Sequence, residues 1–307
     1  MEYAAFIITY ERPEILLNTI DKLLLQTKPP VYILIVDNSA SDKTKVVING
    51  LNNPIISYYY TGYNSGAAGG SYYGLKILTD KGYDWILWVD DDDPPSQNDL
   101  IERLILSADG YPDRSSIGLL GTVGSDFDYS KGELRRFTND ELIANEYLDA
   151  KCVAGGMFPL INSLVVKKGA LPNKDFFFSF EDLDFCLKVL DLNFKIVVPS
   201  AIMIESRKSK DRWDLKINKL KALNEVKGTN LWREYYSIRN MTYLFSYTRH
   251  DSAVLIRYFI KYLLKIILSY SKGMKFGWQT TYYTVLGYTH GIMGKLGRTV
   301  VPVSKYK

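Results

Sequence analysis

The chain has 307 residues, 47% hydrophobic and 23% charged, an ordinary balance for a folded protein with a substantial core. A net charge of +4 is too mild to point to nucleic acid, and two histidines, His250 and His290, speak against a histidine-rich zinc site or a Ser-His-Asp triad. Two cysteines, Cys152 and Cys186, make neither a disulfide framework nor a CxxC motif, which fits a reducing compartment.

Met1 runs straight into the apolar Ala4–Thr9 with no basic segment or cleavage site, so the expectation is a cytoplasmic protein without a signal peptide. Ala4–Thr9 reads as a strand and Pro13–Gln26 as a helix, with Ile15, Leu16, Ile20, Leu23 and Leu24 at helical spacing. Val31–Val36 is a second strand, ending in Asp37-Asn38-Ser39. A helix over Ser41–Leu51 and a strand over Ile55–Tyr60 follow. The glycine-rich loop Asn64–Gly70 then leads into a helix at Ser71–Lys81, Trp85–Val89 is a strand, and Asn98–Ala108 is a helix. Strand and helix alternating at this spacing imply an α/β fold with a mainly parallel sheet. Ligands of such sheets gather at the carboxyl ends of the strands, where Asp37, Asn64 and the run Asp90-Asp91-Asp92-Asp93 are all expected.

Beyond residue 110 the pattern is less regular. Strands are expected at Ile117–Thr122, Leu160–Val166 and Lys195–Val198, and a helix at Asp182–Leu190. Arg207–Lys227 reads as a loop with a solvated helix, and from Leu231 the chain reads as amphipathic helices. The domain expectation is a first half over 1–110, a second half over 111–230 and a helical extension over 231–307.

Four carboxylates after a buried strand repel one another unless a cation sits among them. Residues two apart on an extended chain face the same side, so Asp90 and Asp92 can share one hard cation, Mn²⁺ or Mg²⁺. The alternative register is Asp91 with Asp93, and the bland alternative is a solvated acidic loop. Asp37 can accept a hydrogen bond from the N–H of a uracil or thymine ring, although a lone Asp at such a place more often forms a turn. Thr9, Tyr10 and Arg12 follow the first strand into the same pocket, and Asp91 suits a ribose or sugar hydroxyl. The backbone around Gly66, Gly69 and Gly70, before a helix, can approach phosphate or ribose. No GK[ST] follows these glycines and their spacing is not that of a dinucleotide fingerprint, so they are neither a Walker A loop nor a Rossmann signature.

The opening Phe6-Ile7-Ile8-Thr9-Tyr10-Glu11-Arg12-Pro13, then Val36-Asp37-Asn38-Ser39, Asn64-x-Gly66-x-x-Gly69-Gly70, the Asp run and Phe178-Ser179-Phe180-Glu181-Asp182-Leu183-Asp184-Phe185, in that order, resemble the family-2 glycosyltransferases of GT-A fold. Arg233-Glu234-Tyr235-Tyr236-x-x-Arg239-Asn240 resembles a segment of its rhamnosyl- and galactofuranosyl-transferring members. The resemblance implies an inverting, metal-dependent transferase moving a sugar from a UDP- or dTDP-sugar to a glycan or lipid-linked acceptor in cell-surface polysaccharide synthesis. It makes Asp182 the general base and assigns Glu181, Asp184 and Tyr236 to the acceptor and Arg239 to the donor diphosphate or an acceptor phosphate; the competing readings are that Asp182 and Asp184 stabilise a helix N-terminus and that Arg239 is a buried structural arginine. In many members a histidine at the end of the strand that follows the base helix completes the metal site; Glu205 stands at that place in this chain. A sugar nucleotidyltransferase is the enzymatic alternative, though the N-terminal glycine-rich pyrophosphate loop is missing. A degenerate carbohydrate- or membrane-binding domain is the non-catalytic one.

No window of 18 uncharged apolar residues exists, so no spanning helix is expected. Arg257, Lys261 and Lys265 would form a basic stripe on an interfacial helix at an anionic membrane, placing the protein at the inner face of the cytoplasmic membrane. A helix packed on the catalytic domain is the equal alternative.

Overall fold

The computed structural model describes residues 1–213 and 231–301. The part of the lysine-rich segment beyond residue 213 lies outside the described residues. The chain divides into two compact units. Unit 1 comprises Met1–Phe127, Leu134–Lys174 and Asp182–Trp213; unit 2 comprises Asp128–Glu133, Asp175–Glu181 and Asp214–Lys307.

Unit 1 begins with β1 (Ala4–Thr9), α1 (Pro13–Leu24), β2 (Tyr32–Asp37), α2 (Lys43–Gly50), β3 (Ile56–Tyr60), α3 (Gly66–Asp80), β4 (Trp85–Asp90) and α4 (Leu100–Gly110). It continues through β5 (Ile117–Leu120), the short strands β6 (Asp126–Asp128) and β7 (Glu133–Arg135), α5 (Asn139–Ala144), β8 (Tyr147–Ala150), β9 (Leu160–Asn162), α6 (Ser163–Lys167), α7 (Glu181–Asp191), β10 (Lys195–Pro199) and α8 (Ser200–Ser209). Eight strands form one sheet in the order β3-β2-β1-β4-β9-β5-β10-β8. The first four are parallel, β9 runs antiparallel between β4 and β5, and β10 lies parallel to β5 and antiparallel to β8. The fold is α/β of the expected kind, and a single sheet runs through both predicted halves, 1–110 and 111–230.

All six residues of β1 are buried because helices cover both faces of the sheet, which is why the strand reads as an unbroken apolar run. Ala5 and Ile7 pack with Leu16, Ile20 and Leu23 of α1 and with Ile101 and Leu104 of α4. Phe6 and Ile8 point the other way, to α3. A Cβ on Gly70 would lie 2.6 Å from Ile8, and one on Gly74 would lie 2.4 Å from Phe6. Each fully buried aliphatic side chain contributes roughly 1.5–3 kcal/mol.

Three expectations are corrected. The glycine loop is already helical: α3 starts at Gly66, and Gly69 and Gly70 lie inside it. A Cβ on Gly69 would sit 2.4 Å from the Ser65 side chain, so these glycines permit close packing. Leu160–Val166 is a strand for three residues only. The Asn162 side chain then accepts from the Leu164 N–H and starts α6. Finally, the stretch carrying Glu205 is not a strand end but α8, which begins at Ser200. Helix α5, unforeseen, is announced by a capping box between Thr138 and Glu141.

Unit 2 holds α9 (Leu231–Tyr243), continued by π-helical Leu244–Thr248, then α10 (Ser252–Ser269) and α11 (Met274–Ile292). The Asp251 side chain caps α10 by accepting from the Val254 N–H at 3.0 Å. Small residues bring α11 against α9: a Cβ on Gly287 would lie 2.8 Å from the Tyr235 carbonyl, and one on Gly291 would lie 2.7 Å from that of Arg239. Among the described residues no helix is long and apolar enough to cross a membrane.

Candidate active site

Strand register puts the candidate residues of unit 1 on one edge. Thr9 of β1 pairs with Asp37 of β2, and Ile8 pairs with Asp90 of β4, so three carboxyl ends finish at the same level. Asp37 is fully buried. Its two oxygens accept from the Tyr58 hydroxyl and the Ser39 N–H, each at 2.8 Å. Burial, with the hydrogen bond to Asp37, raises the Tyr58 hydroxyl above its ordinary value.

Thr9 and Arg12 turn towards the acid run. The Thr9 hydroxyl donates to Asp91 Oδ2 at 2.7 Å, and the Thr19 hydroxyl donates to the Asp91 carbonyl at 2.6 Å. Arg12 grips Asp91 at 2.5 Å and Asp92 at 2.6 Å. Asp91 is thus the buried anchor of the loop, tied to β1 and α1, while Tyr10 stays 43% exposed. Glu11, in a left-handed conformation (φ 55°), accepts from the Ala40 and Ser41 N–H groups and the Ser41 hydroxyl, which joins the ends of β1 and β2. Asn64 accepts the Gly66 N–H. Asn38, not foreseen, donates to the Gly66 carbonyl and accepts from Thr61 and Ser65, so it ties the β2 end to α3.

Asp90 and Asp93 converge over a gap. A Cβ on Gly156 would lie 3.0 Å from Asp93 Oδ2 and 3.4 Å from Asp90 Oδ2. Burial pushes the Asp90 carboxyl up to about 7, Asp92 and Asp91 add to the effect, the Trp88 indole N–H opposes it, and Asp182 raises it further. Burial likewise raises Asp93, with Lys210 opposing. Asp182, at the start of α7, is pushed up to about 6 by burial, against a hydrogen bond from the Leu183 N–H at 2.7 Å. Asp90 and Asp182 therefore stand near enough for one to oppose the ionisation of the other. Arg12, the cation gripping the run, holds Asp91 and Asp92. This excess of buried negative charge, with a cradle that a single methyl would fill, fits a divalent cation on hard oxygen ligands. Among the described residues no three Asp, Glu, His or Cys side chains gather tightly enough to enclose an ion by themselves, so water or substrate oxygens would complete the shell.

Beside the run opens a cavity of about 340 Å³, lined by Asp93, Gln97, Thr122, Gly156, Glu205 and Lys210 among others. Gly155-Gly156 was missed in the sequence, although a glycine pair between apolar residues is a usable signal of close approach.

Several expected site residues are otherwise occupied. Glu205 lies along α8 and is held by Arg103 at 2.5 Å and by Gln97, so its carboxylate is already paired within the protein. Asp184 is buried and accepts from the Asn173 N–H at 2.8 Å and the Lys188 ammonium at 2.7 Å, an internal arrangement rather than a surface for an acceptor. Glu181 is buried as well. In unit 2, Tyr236 is fully buried and its hydroxyl donates to the Val300 carbonyl at 2.7 Å. Arg239 is fully buried too: it donates to the carbonyls of Phe176 at 2.7 Å and Gly297 at 2.6 Å and lies 4.7 Å from the centre of the Tyr236 ring. Of its two readings from the sequence, the geometry is that of the structural arginine. Asn240 beside it donates to the carbonyls of Phe176, Phe178 and Ser179 at 2.7–3.2 Å. The pair holds a segment in which Phe177, Ser179 and Phe180 are all left-handed (φ 62–68°), a conformation that costs non-glycine residues free energy.

A mainly parallel α/β sheet with antiparallel β9 and β8, and with carboxylates at the ends of β2 and β4, is the GT-A class of fold. The profile of glycosyl transferase family 2 matches residues 4–166, more than half of the chain, and the protein belongs to that family. The chain is 30% identical over 105 residues to galactofuranosyltransferase GlfT1 of Mycolicibacterium smegmatis, covering 34% of each chain. It is 30% identical over 108 residues to the GlfT1 of Mycobacterium tuberculosis, covering 35% of this chain and 36% of that one. The matched part is about a third of the length of these curated relatives. Among solved structures, the mannosyltransferase PcManGT from Pyrobaculum calidifontis, in complex with GDP-Man and Mn²⁺, has the same fold with a TM-score of 0.51 at 11% identity, over 96% of this chain and 88% of that one.

Proposed function

We propose that the protein is an inverting glycosyltransferase that takes a sugar from a nucleoside-diphosphate donor, a UDP- or dTDP-sugar, and delivers it to a hydroxyl of a glycan or lipid-linked glycan in cell-surface polysaccharide synthesis. The observation that carries this reading is the convergence of Asp37, the Asp90–Asp93 run and Asp182 at one edge of the unit 1 sheet, with Asp90 and Asp182 within electrostatic reach of each other. An acid grouping next to an activating carboxylate is what transfer from a diphosphate requires: negative charge must be matched on the leaving group while a proton is removed from the attacking one.

Asp37 would take the N–H of a pyrimidine base in place of one of its present donors. Tyr10, half exposed past the end of β1, would cover the base or ribose. Asp91, fixed by Thr9 and Arg12, holds the loop in register, so that Asp90 with Asp92 or Asp93 would hold a Mn²⁺ or Mg²⁺ ion. Such an ion, when bound, neutralises the charge that develops on the leaving diphosphate. Asp182 accepts the proton of the acceptor hydroxyl as its oxygen forms a bond to the anomeric carbon and the bond from that carbon to phosphate oxygen breaks. The nucleoside diphosphate leaves with the electron pair, and a single displacement inverts the anomeric configuration. The cavity beside Asp93 and Gly156 supports room for a sugar ring there. Likeness to galactofuranosyltransferases makes UDP-galactofuranose the first donor to try, with dTDP-rhamnose second.

The test is a melting-temperature screen of UDP, dTDP and GDP with Mn²⁺, followed by transfer assays with the sugars of whichever nucleotide binds. A rise of several degrees with UDP or dTDP is expected. No rise with any of them removes the nucleotide site. Release of pyrophosphate from a nucleoside triphosphate and a sugar phosphate would instead favour a sugar nucleotidyltransferase.

A further inference from the structure

Helix α10 is rich in apolar residues on all sides, yet only one side of it is covered. Val254, Tyr258 and Ser269 are buried at helical spacing; the Tyr258 hydroxyl donates to the Gly132 carbonyl, and the neighbouring Phe259 and Tyr262 meet the Tyr288 ring of α11. On the opposite stripe Ile256, Ile260, Leu263, Leu264, Ile267 and Leu268 are 44–67% exposed. At the adjoining start of α11, Met274 and Trp278 are 67% and 64% exposed. Single exposed leucines are unremarkable on a protein surface, but an unbroken aliphatic row three turns long is not.

Charge says what covers that row. The chain's 38 Lys and Arg and 34 Asp and Glu are unevenly placed: nine of the former and none of the latter lie beyond Asp251, which leaves 29 against 34 before it. The last 56 residues carry +9 while the preceding 251 carry −5. Expectation and structure part here in an informative way. Lys261 is drawn to Glu133 at 2.6 Å and Lys265 to Glu234, so two members of the foreseen basic stripe hold the helix to its own unit. The apolar stripe faces outward instead, and Arg257, Lys272 and Lys275 are the exposed cations beside it.

We propose that the outward stripe of α10, with Met274 and Trp278, is a docking surface for an anionic phospholipid bilayer. The helix lies along the interface, its aliphatic row enters the acyl boundary, and Arg257, Lys272 and Lys275 meet headgroup phosphates. Trp278 suits the same depth, because an indole is apolar on its face and polar at its N–H. A second copy of the chain fits poorly, since a two-fold contact would bring one all-cationic segment against another. This inference stands apart from the transfer reaction and survives if that reading fails.

The experiment is cosedimentation of the full chain with vesicles of phosphatidylcholine alone and of phosphatidylcholine with an equal part of phosphatidylglycerol, with tryptophan emission followed in parallel. Binding to the anionic vesicles, weakened by salt and accompanied by a blue shift, is expected. The triple variant Ile260→Ser, Leu264→Ser, Ile267→Ser should bind at least about tenfold more weakly at an unchanged melting temperature, because its side chains are already in water. Lys272→Gln and Lys275→Gln should each weaken binding about fivefold. No binding by the wild type, or undiminished binding by the triple variant, overturns the proposal. So does a wild-type dimer in sedimentation equilibrium that the triple variant splits without either form binding vesicles; the occupant is then a second copy.

Discussion

Two polar clusters in this molecule look alike in the sequence and differ in the structure. At the unit 1 sheet edge, Arg12 pairs with Asp91 and Asp92, while Asp90 and Asp93 face a space left by Gly156 and Asp182 stands close enough to act on Asp90. In unit 2, Tyr235, Tyr236, Arg239 and Asn240 are fully buried, and their donors and acceptors meet the protein's own backbone and side chains. The first cluster keeps carboxylates facing open space, which supports the proposed donor site; the second is closed on itself and acts as a brace. Motif membership did not separate them. The state of their hydrogen bonds did.

The sharpest way to break this comparison is at Asp182. Asp182→Asn should lower transfer roughly a thousandfold while nucleotide binding and the melting temperature hold, and normal turnover would take Asp182 out of the reaction. Next in size is Arg239→Ala, which removes the arginine's hydrogen bonds to the Phe176 and Gly297 carbonyls. It should cost about 3 kcal/mol in denaturant unfolding and leave nucleotide affinity unchanged under folding conditions. A selective loss of donor affinity with full stability would reverse the assignment of the brace.

Gly156→Ala probes the cradle directly, since its methyl would press on Asp93 and Asp90. About a tenfold rise in the Mn²⁺ concentration needed for activity is expected, with little change in stability. The smallest effect is set by a region belonging to neither cluster. Thr138→Ala removes the cap of α5 at about 1 kcal/mol and leaves turnover untouched. Glu141 of the same capping box is held down to about 2 by Arg135 and by Thr138. A depressed carboxyl contributes stability above its ordinary value and loses it as the pH falls through the folded one, so wild-type stability should decline between pH 5 and 2 and that of Glu141→Gln should decline less.

Much of the edge was legible because strand and helix periods are local. The apolar runs Ala4–Thr9, Val31–Val36 and Trp85–Val89 lead into polar residues, and a parallel sheet brings such ends to one side. The glycines of α3 were legible as a close approach, but the approaching group proved to be Ser65 and the side chain of Ile8 rather than anything outside the protein. Glu205 was placed by analogy at a strand end, and Arg103 from α4 holds it.

The sequence by itself therefore determined the alternation of elements, the carboxylates at the ends of β2 and β4, and the acidic start of α7, because each depends on neighbours a few residues away. Only the tertiary structure decided which polar side chains are already satisfied and which side of α10 faces outward. Those outcomes depend on partners far along the chain, such as Phe176 for Arg239 and Glu133 for Lys261, and no local period encodes them.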